Sequence, residues 1–321
     1  MTFLRINRIT IKGENNFILN DISFTQKQLQ KIAIVGETGS GKSTLLKTIA
    51  GLIQQDSGDI LLQSEKVKGP IEKLVPGHPS IAYLSQYFEL PKFLRVDQIL
   101  SYANKLSDGD ARSIYEICQI QHLVNRKTDQ LAGGERQRIA IARLLSSSPK
   151  LLLLDEPFSH LDMVHKNILK SVISDLSEKL KITCILVSHD PDDTLSWADK
   201  IVVMKEGQII QQGIPKKIYK EPVNEYAAGL FGVYSKLNND LAREFNNRAG
   251  IKKDTTYFFR PEEFEIVSKG KKGIKGKVIQ LNYYGGFYTI IVKISDDTII
   301  IKTEDQKINV GDVVYLSRVK P

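Results

Sequence analysis

"KIAIVGETGSGKSTLLKTIAGL", Lys31 to Leu52, joins three local patterns in one run. Ile32 to Val35 is a short continuous apolar run, as in a strand buried on both faces. Gly36 to Thr44 follows as G-x-x-x-x-G-K-[ST]. Leu45, Leu46, Ile49 and Leu52 then recur at helical spacing, which predicts a helix with those four side chains on one face. Strand, glycine turn and helix in this order give the pattern its physical meaning. Its glycines let backbone N–H groups turn inward around phosphate oxygens, and the helix N-terminus adds a dipole that favours negative charge. Lys42 would neutralise β- and γ-phosphates, and the Ser43 hydroxyl would ligate Mg²⁺. Gly36, Glu37, Thr38, Gly39, Ser40, Gly41 and Thr44 complete the candidate loop; a glycine-rich turn without a ligand is the alternative.

Outward from this run, "FLRINRITIK" and "NFILNDISF" alternate apolar and polar residues around a turn at Gly13 to Asn16, predicting an antiparallel hairpin. Downstream, "DSGDILL" and "SIAYLSQ" read as strands, and Leu94 to Leu123 as helical segments interrupted by "SDGD". "AGGERQRIAIARLLSSS" is helical, "KLLLLDEP" a buried strand, "VHKNILKSVISDLSEKL" a helix and "ITCILVSHD" a second buried strand. Apolar strands alternating with helices imply a largely parallel sheet covered on both faces. Residues 215–254 read as a polar connecting segment with helical stretches. Period-two runs "GKVIQLNY", "FYTIIVKI", "TIIIKT" and "VVYLSRV" then predict a small antiparallel barrel.

A chain of 321 residues with 41% hydrophobic composition suits about two domains. Its apolar runs are far shorter than the roughly 20 residues of a membrane-spanning helix, and "MTFLRINRIT" lacks the pattern of a secretory signal, so a cytosolic compartment is expected. Cys118 and Cys184 fit no paired motif and lie in apolar surroundings, so buried reduced thiols are expected. The net charge of +8 invites a polyanion reading. From Lys236 onward there are 16 Lys+Arg against 11 Asp+Glu, with 29 against 26 before it. This dispersed excess, densest at "SKGKKGIKGK", fits a solvated loop better than a polyanion site.

Polar residues end the apolar strands. Asp155 and Glu156 close "LLLLDEP": Asp155 could hold the Mg²⁺ shell, and Glu156 could deprotonate a water for attack on a γ-phosphate. Alone, such a pair also describes a polar strand terminus. Gln86 follows "SIAYLS" and His189 follows "TCILVS", both at the carboxyl edge where open α/β sheets bind ligands. Gln86 could touch Mg²⁺ or the attacking water, and His189 the γ-phosphate. An isolated glutamine or histidine there is usually only solvated; four strand ends converging on one edge make a site.

"LAGGERQR", Leu131 to Arg138, carries neither a nucleophile nor a metal ligand, yet sets two glycines at the mouth of a helix. The phosphate loop, Gln86, "LAGGE", "LLLLDE", "SHLD" (Ser159 to Asp162) and His189 together resemble, in order and context, the nucleotide-binding subunits of ABC transporters. The likeness covers residues 1–235, and the glycine signature is specific to that ATPase class. It implies a P-loop NTPase core with an N-terminal antiparallel β subdomain and a helical subdomain at about 87–145, with a small all-β, OB-like barrel in residues 236–321. "EPVNEYAAGLFG" and "YFFRPEEFEIV" look like the junction and accessory domain of importer ATPases for sugar, iron and polyamine uptake.

The resemblance implies that Ala132, Gly133, Gly134 and Glu135 contact the ATP held by a second copy of the chain, so two chains sandwich two nucleotides. Asp162 would help the two sites communicate. Glycine permits close backbone approach, and the helix start aims its positive end at the γ-phosphate. Ala132 stands where the family usually has Ser, removing a hydroxyl worth on the order of 1 kcal/mol. Glu135 replaces the usual Gln, its charge offset by Arg136 and Arg138. Adenine stacking falls by spacing near Gly13, with Phe17 as substitute. Tyr87, Phe88, Leu90, Phe93 and Leu94 would either dock a helix of the membrane subunit or pack within the helical subdomain.

The function implied is the ATP-hydrolysing subunit of an importer, peripheral on the cytoplasmic face of the inner membrane. ATP and Mg²⁺ would be its cofactors; permease subunits and, indirectly, a substrate-binding protein would be its partners. The competing reading is a soluble ABC ATPase acting on nucleic acid or ribosomes through Tyr283, Tyr284, Phe287 and Tyr288. A single phosphate loop and the absence of a long heptad arm speak against it, and no nucleic acid is expected.

Overall fold

The computed structural model describes residues 2–14, 16–86, 90–159, 161–237, 239–246, 256–269 and 273–319. They divide into two compact units, Met1–Pro215 and Lys216–Pro321.

In the first unit, the alternating N-terminal segments form β1 (Thr2–Lys12) and β2 (Phe17–Lys27), an antiparallel pair as the sequence predicts. After β3 (Ile32–Val35) and α1 (Lys42–Ile49) come β4 (Ser57–Leu62) and β5 (Glu65–Lys66), which extend the first pair into a four-stranded sheet of order β2-β1-β4-β5. Leu45, Leu46 and Ile49 of α1 are fully buried. Leu52, expected on the same face, lies beyond the helix and is 38% exposed; the chain turns at Gly51, φ 73°, before the helical face reaches it.

A second sheet carries β6 (Ile81–Leu84), β7 (Leu151–Asp155), β8 (Thr183–Val187), β9 (Lys200–Lys205) and β10 (Gln208–Gly213) around β3, in the order β10-β9-β3-β8-β7-β6. From β9 to β6 the pairings are parallel. Continuous apolar strands are explained by two-sided burial: Leu151 and Leu153 join one core, Leu152 and Leu154 the other. Cys118 and Cys184 are buried free thiols, as expected.

Helices α2 (Val96–Ala103), α3 (Asp108–Ile117), α4 (Gly133–Leu145) and α5 (Met163–Glu178) share a core with one face of this sheet, and α6 (Pro191–Leu195) follows β8. The helical segments are interrupted as expected, between Ala103 and Asp108, but all of "SDGD" after Ser107 lies in the first turn of α3. Ser107 accepts a hydrogen bond from the Asp110 N–H and starts α3, with Asp108 and Asp110 in the turn where the helix dipole favours acids.

The second unit begins with α7 (Pro215–Lys220), α8 (Glu225–Gly229), β11 (Ser235–Leu237) and α9 (Asn239–Asn246). β11 pairs with β12 (Tyr257–Phe259). A five-stranded antiparallel sheet follows from β13 (Phe264–Val267), β14 (Ile274–Tyr283), β15 (Tyr288–Ile294), β16 (Asp297–Thr303) and β17 (Val313–Arg318), in the order β13-β17-β14-β15-β16. This is the small β domain the alternating tail predicts, although among the described residues no ladder joins β13 to β16 to close the expected barrel. Among the described residues, the connecting segment of the sequence reading from Lys216 onward falls in this unit, and the junction expected at 235/236 lies inside it. Arg260, 1% exposed, is the physical reason: its guanidinium donates to the carbonyls of Tyr219 at 3.0 Å and of Gly232 and Val233 at 3.2 Å each. Its Cζ also sits 4.2 Å from the centre of the Tyr219 ring. A buried guanidinium needs such acceptors, and the polar segment supplies them.

Candidate functional site

Strands β3, β8, β7 and β6 are parallel neighbours, so their carboxyl ends share one edge. The turn after β3 runs directly into α1. Gly36 is obligatory in this turn, because a Cβ there would stand 2.3 Å from the Met204 carbonyl oxygen. Gly41, the N-cap residue of α1, has φ 96° and no room beside the Ile18 carbonyl. No side chain caps α1 and no acid lies in its first turn. Its positive end is left to whatever enters the loop.

Lys42 is 7% exposed. Its ammonium donates to the carbonyls of Gly36 and Glu37 at 2.7 Å each and, at 3.4 Å, to the Ser40 hydroxyl. Burial pushes its pKa below that of an ordinary lysine, against the opposing pull of the Glu156, Asp155 and Glu37 carboxylates. An entering phosphate would give this cation anionic partners in place of neutral ones.

Asp155 ends β7 and is 2% exposed. Its Oδ1 accepts from the Ser43 hydroxyl at 3.0 Å and its Oδ2 from the Tyr83 hydroxyl at 2.9 Å. Glu156 follows at φ 51°, a left-handed conformation that costs a glutamate about 1–3 kcal/mol. The two adjacent carboxylates have separate partners: Asp155 holds Ser43 and Tyr83, Glu156 holds Ser159 and His189. The Glu156 Oε2 accepts from the Ser159 hydroxyl at 3.0 Å and is 2.7 Å from His189 Nδ1.

Lys42, Ser43 and Glu156 line one cleft, while the buried Asp155 is not among its lining residues. Thr38, Gly39, Gly41, Lys42, Ser43, Thr44, Gln86, Glu156 and His189 surround a cavity of about 400 Å³ together with Ile18. Gln86, Glu156 and His189 continue into an adjoining space of about 310 Å³ with Phe158, Ser159, Lys166, Ser188, Asp190 and Asp193. Ile18, rather than the proposed Phe17, lines the cleft; Phe17 begins β2, where successive side chains point to opposite faces. Two side chains that the sequence reading passed over join these elements. Tyr83 reaches Asp155 from β6, and Gln137, 3% exposed, donates to the Pro157 carbonyl just after the acidic pair. A tyrosine in an apolar strand and a glutamine on the buried side of a helix both need polar partners, which was the available signal.

The glycine signature lies elsewhere. None of its residues lines the phosphate-loop cleft; Gly133 lines a separate cavity of about 910 Å³ with Leu90, Pro91, Lys92, Thr128, Asp129, Arg136 and Arg143. Ala132 and Gly133 are exposed at the start of α4, and no atom would obstruct a Cβ on Gly133. Gly134 differs: its Cβ would stand 2.8 Å from the His165 ring of α5. Asp162 caps α5 and holds that ring, with Oδ1 accepting from the His165 N–H at 3.0 Å and Oδ2 lying 2.7 Å from Nδ1. Glu135 accepts from the Ala132 N–H at 2.9 Å, a capping contact at the start of α4. Arg138 attracts the Glu135 charge as expected but makes no ion pair with it. It is buried, donating to the carbonyls of Cys118 and Gln119, while Arg126 lies 3.8 Å from Glu135.

Of the segment read as a docking patch, Tyr87 and Phe88 lie outside the described residues. Leu90 packs against the second core, Leu94 is half-buried and Phe93 is 71% exposed. Tyr283 and Tyr284 are exposed, and Tyr284 stacks on Phe287 at 5.4 Å. Among the described residues, no helix is long and apolar enough to cross a membrane.

Residues 19–159 match the family described as ABC transporter. The chain is 29% identical to the spermidine/putrescine import ATP-binding protein PotA of Clostridium acetobutylicum, over 98% of this chain and 93% of that protein. Among solved structures, the ADP conformation of MJ1267, an ATP-binding cassette of an ABC transporter, has a TM-score of 0.62 and 26% identity, covering 71% of this chain and 99% of that one. CbiO1 from Clostridium perfringens, part of the ABC transporter complex CbiONQ, has a TM-score of 0.60 and 29% identity, covering 68% and 91%.

The contrast between the paired glycines is directly testable. Gly134→Ala should destabilise the protein by about 1–3 kcal/mol through overpacking against His165, whereas Gly133→Ala should leave urea stability within about 0.5 kcal/mol of the parent or raise it. Equal losses from both would contradict this packing.

Proposed function

Carrying the ATP-binding cassette of the ABC transporters in residues 19–159, this chain is an ATPase, and we propose that it is the energy-coupling subunit of an importer, working as a homodimer with permease subunits. One observation carries the dimer: the phosphate-loop cleft contains no signature residue, while Ala132 and Gly133 are exposed at a helix start with nothing above Gly133. A helix N-terminus with an open glycine is suited to phosphate, and a second copy would bring such a phosphate to it. Asp162, joined to Gly134 through His165, would link the two sites. Likeness to an import ATP-binding protein over nearly the whole chain, second unit included, supports import over action on nucleic acid. In an importer the chain would sit on the cytoplasmic face of the membrane, and a substrate-binding protein would deliver cargo.

In the reaction, the loop from Gly36 to Thr44 binds the β- and γ-phosphates through backbone N–H groups, and the Lys42 ammonium turns from neutral oxygens to anionic ones. Glu156 takes a proton from the attacking water, its carboxylate aimed by the left-handed turn and by Ser159. His189, on the same carboxylate, can donate to the γ-phosphate, and Gln86 at the rim orients the water. A hydroxyl and a carboxylate in contact, Ser43 and Asp155, are the oxygen donors that suit Mg²⁺ held otherwise by phosphate and water. They, with Gln86, would hold the ion, which supplies neutralisation of phosphate charge when bound.

Glu156→Gln should bind ATP normally and hydrolyse it roughly a hundredfold or more slowly, whereas Lys42→Ala should lose nucleotide affinity, as read by calorimetry and phosphate release. Normal turnover in the Glu156 variant would remove it from the base role. Purified gently from native membranes with ATP present, the chain should bring a membrane-spanning permease with it; recovery without any membrane protein, but with RNA, would favour the alternative.

A further inference from the structure

Tyr83 carries the only hydroxyl in β6, three positions before Gln86. β6 and β7 pair in parallel with Tyr83 opposite Leu153, and Leu153 shares a strand face with Asp155. The phenol therefore reaches diagonally toward the end of β7, where it donates to Asp155 Oδ2 at 2.9 Å while Ser43 donates to Oδ1 at 3.0 Å. With Asp155 only 2% exposed, water has little access to replace either partner.

We propose that Tyr83 is a positioning residue for the divalent cation: by holding Asp155 Oδ2, it keeps Oδ1 turned toward Ser43 and the phosphate loop. This rests on the reading of Ser43 and Asp155 as the magnesium-binding pair. Without the phenol, Oδ2 becomes a buried acceptor with no donor, and the carboxylate is free to rotate away from Ser43. The cation then loses a pre-oriented ligand. The loop backbone and Lys42, which hold the nucleotide phosphates, are unchanged. Loss of the hydroxyl should therefore act on metal affinity and spare nucleotide affinity.

The test is Tyr83→Phe, which removes one oxygen, with Tyr83→His as the variant that retains a donor. Mn²⁺ binding to the protein with a non-hydrolysable ATP analogue is followed by electron paramagnetic resonance, and nucleotide binding is measured separately in EDTA. In Tyr83→Phe, Mn²⁺ should bind on the order of tenfold more weakly, with nucleotide affinity in EDTA within about twofold of the parent. The Mg²⁺ concentration for half-maximal ATPase activity should rise in parallel, and Tyr83→His should recover much of the Mn²⁺ affinity. Parent-like Mn²⁺ affinity in Tyr83→Phe overturns the proposal, as does an equal loss of nucleotide affinity in EDTA, which would mark a general packing role. If the parent itself binds no Mn²⁺ with the nucleotide analogue, the magnesium reading of Ser43 and Asp155 fails first.

Discussion

A buried ammonium and a buried carboxylate, Lys42 and Asp155, stand at one crowded sheet edge, and the rest of the first unit is arranged around keeping them there. Neither is paired directly with the other among the hydrogen bonds described. Lys42 is held by two backbone carbonyls and a serine hydroxyl, Asp155 by the hydroxyls of Ser43 and Tyr83. Charges removed from water and met mainly by neutral groups carry a desolvation cost that a polyphosphate and its counter-ion would relieve. The site is thus preorganised for a charged ligand, and the closely packed strands β3, β7 and β8 give the rigidity to hold it so. The left-handed Glu156 is strained backbone at the same edge.

Much of this edge was legible in the sequence because each element announces itself locally. The loop from Gly36 to Thr44 has its own pattern, and Gln86, Asp155, Glu156 and His189 each terminate an apolar run. The missing parts are contacts across long separations: Tyr83 with Asp155, Gln137 with Pro157 and Gly134 with His165. Periodicity cannot say which strand lies beside which, so it cannot supply these partners. It shows only that a buried polar group needs one.

The same limit explains the domain junction. Local composition marks residues 215–254 as polar and therefore as a connection, yet part of that segment is held in the second unit by carbonyls that accept from Arg260. A polar segment can be integral when its backbone satisfies a buried cation. The small all-β character of the tail, by contrast, followed from simple alternation, because its strands have one buried face each.

The paired glycines end with different assignments: Gly134 is required inside the fold, while Gly133 is open outward. That asymmetry is what makes a second chain necessary to the account, since the signature and the phosphate loop line separate cavities of one chain. The most direct measurement is disulfide cross-linking of a chain carrying Thr38→Cys and Gly133→Cys. The native Cys118 and Cys184 will not compete, because burial pushes both thiols up to about 12. ATP should promote a cross-linked species of twice the chain mass, joining position 38 of one copy to position 133 of the other. A cross-link confined to single chains, or one indifferent to ATP, would contradict the shared site.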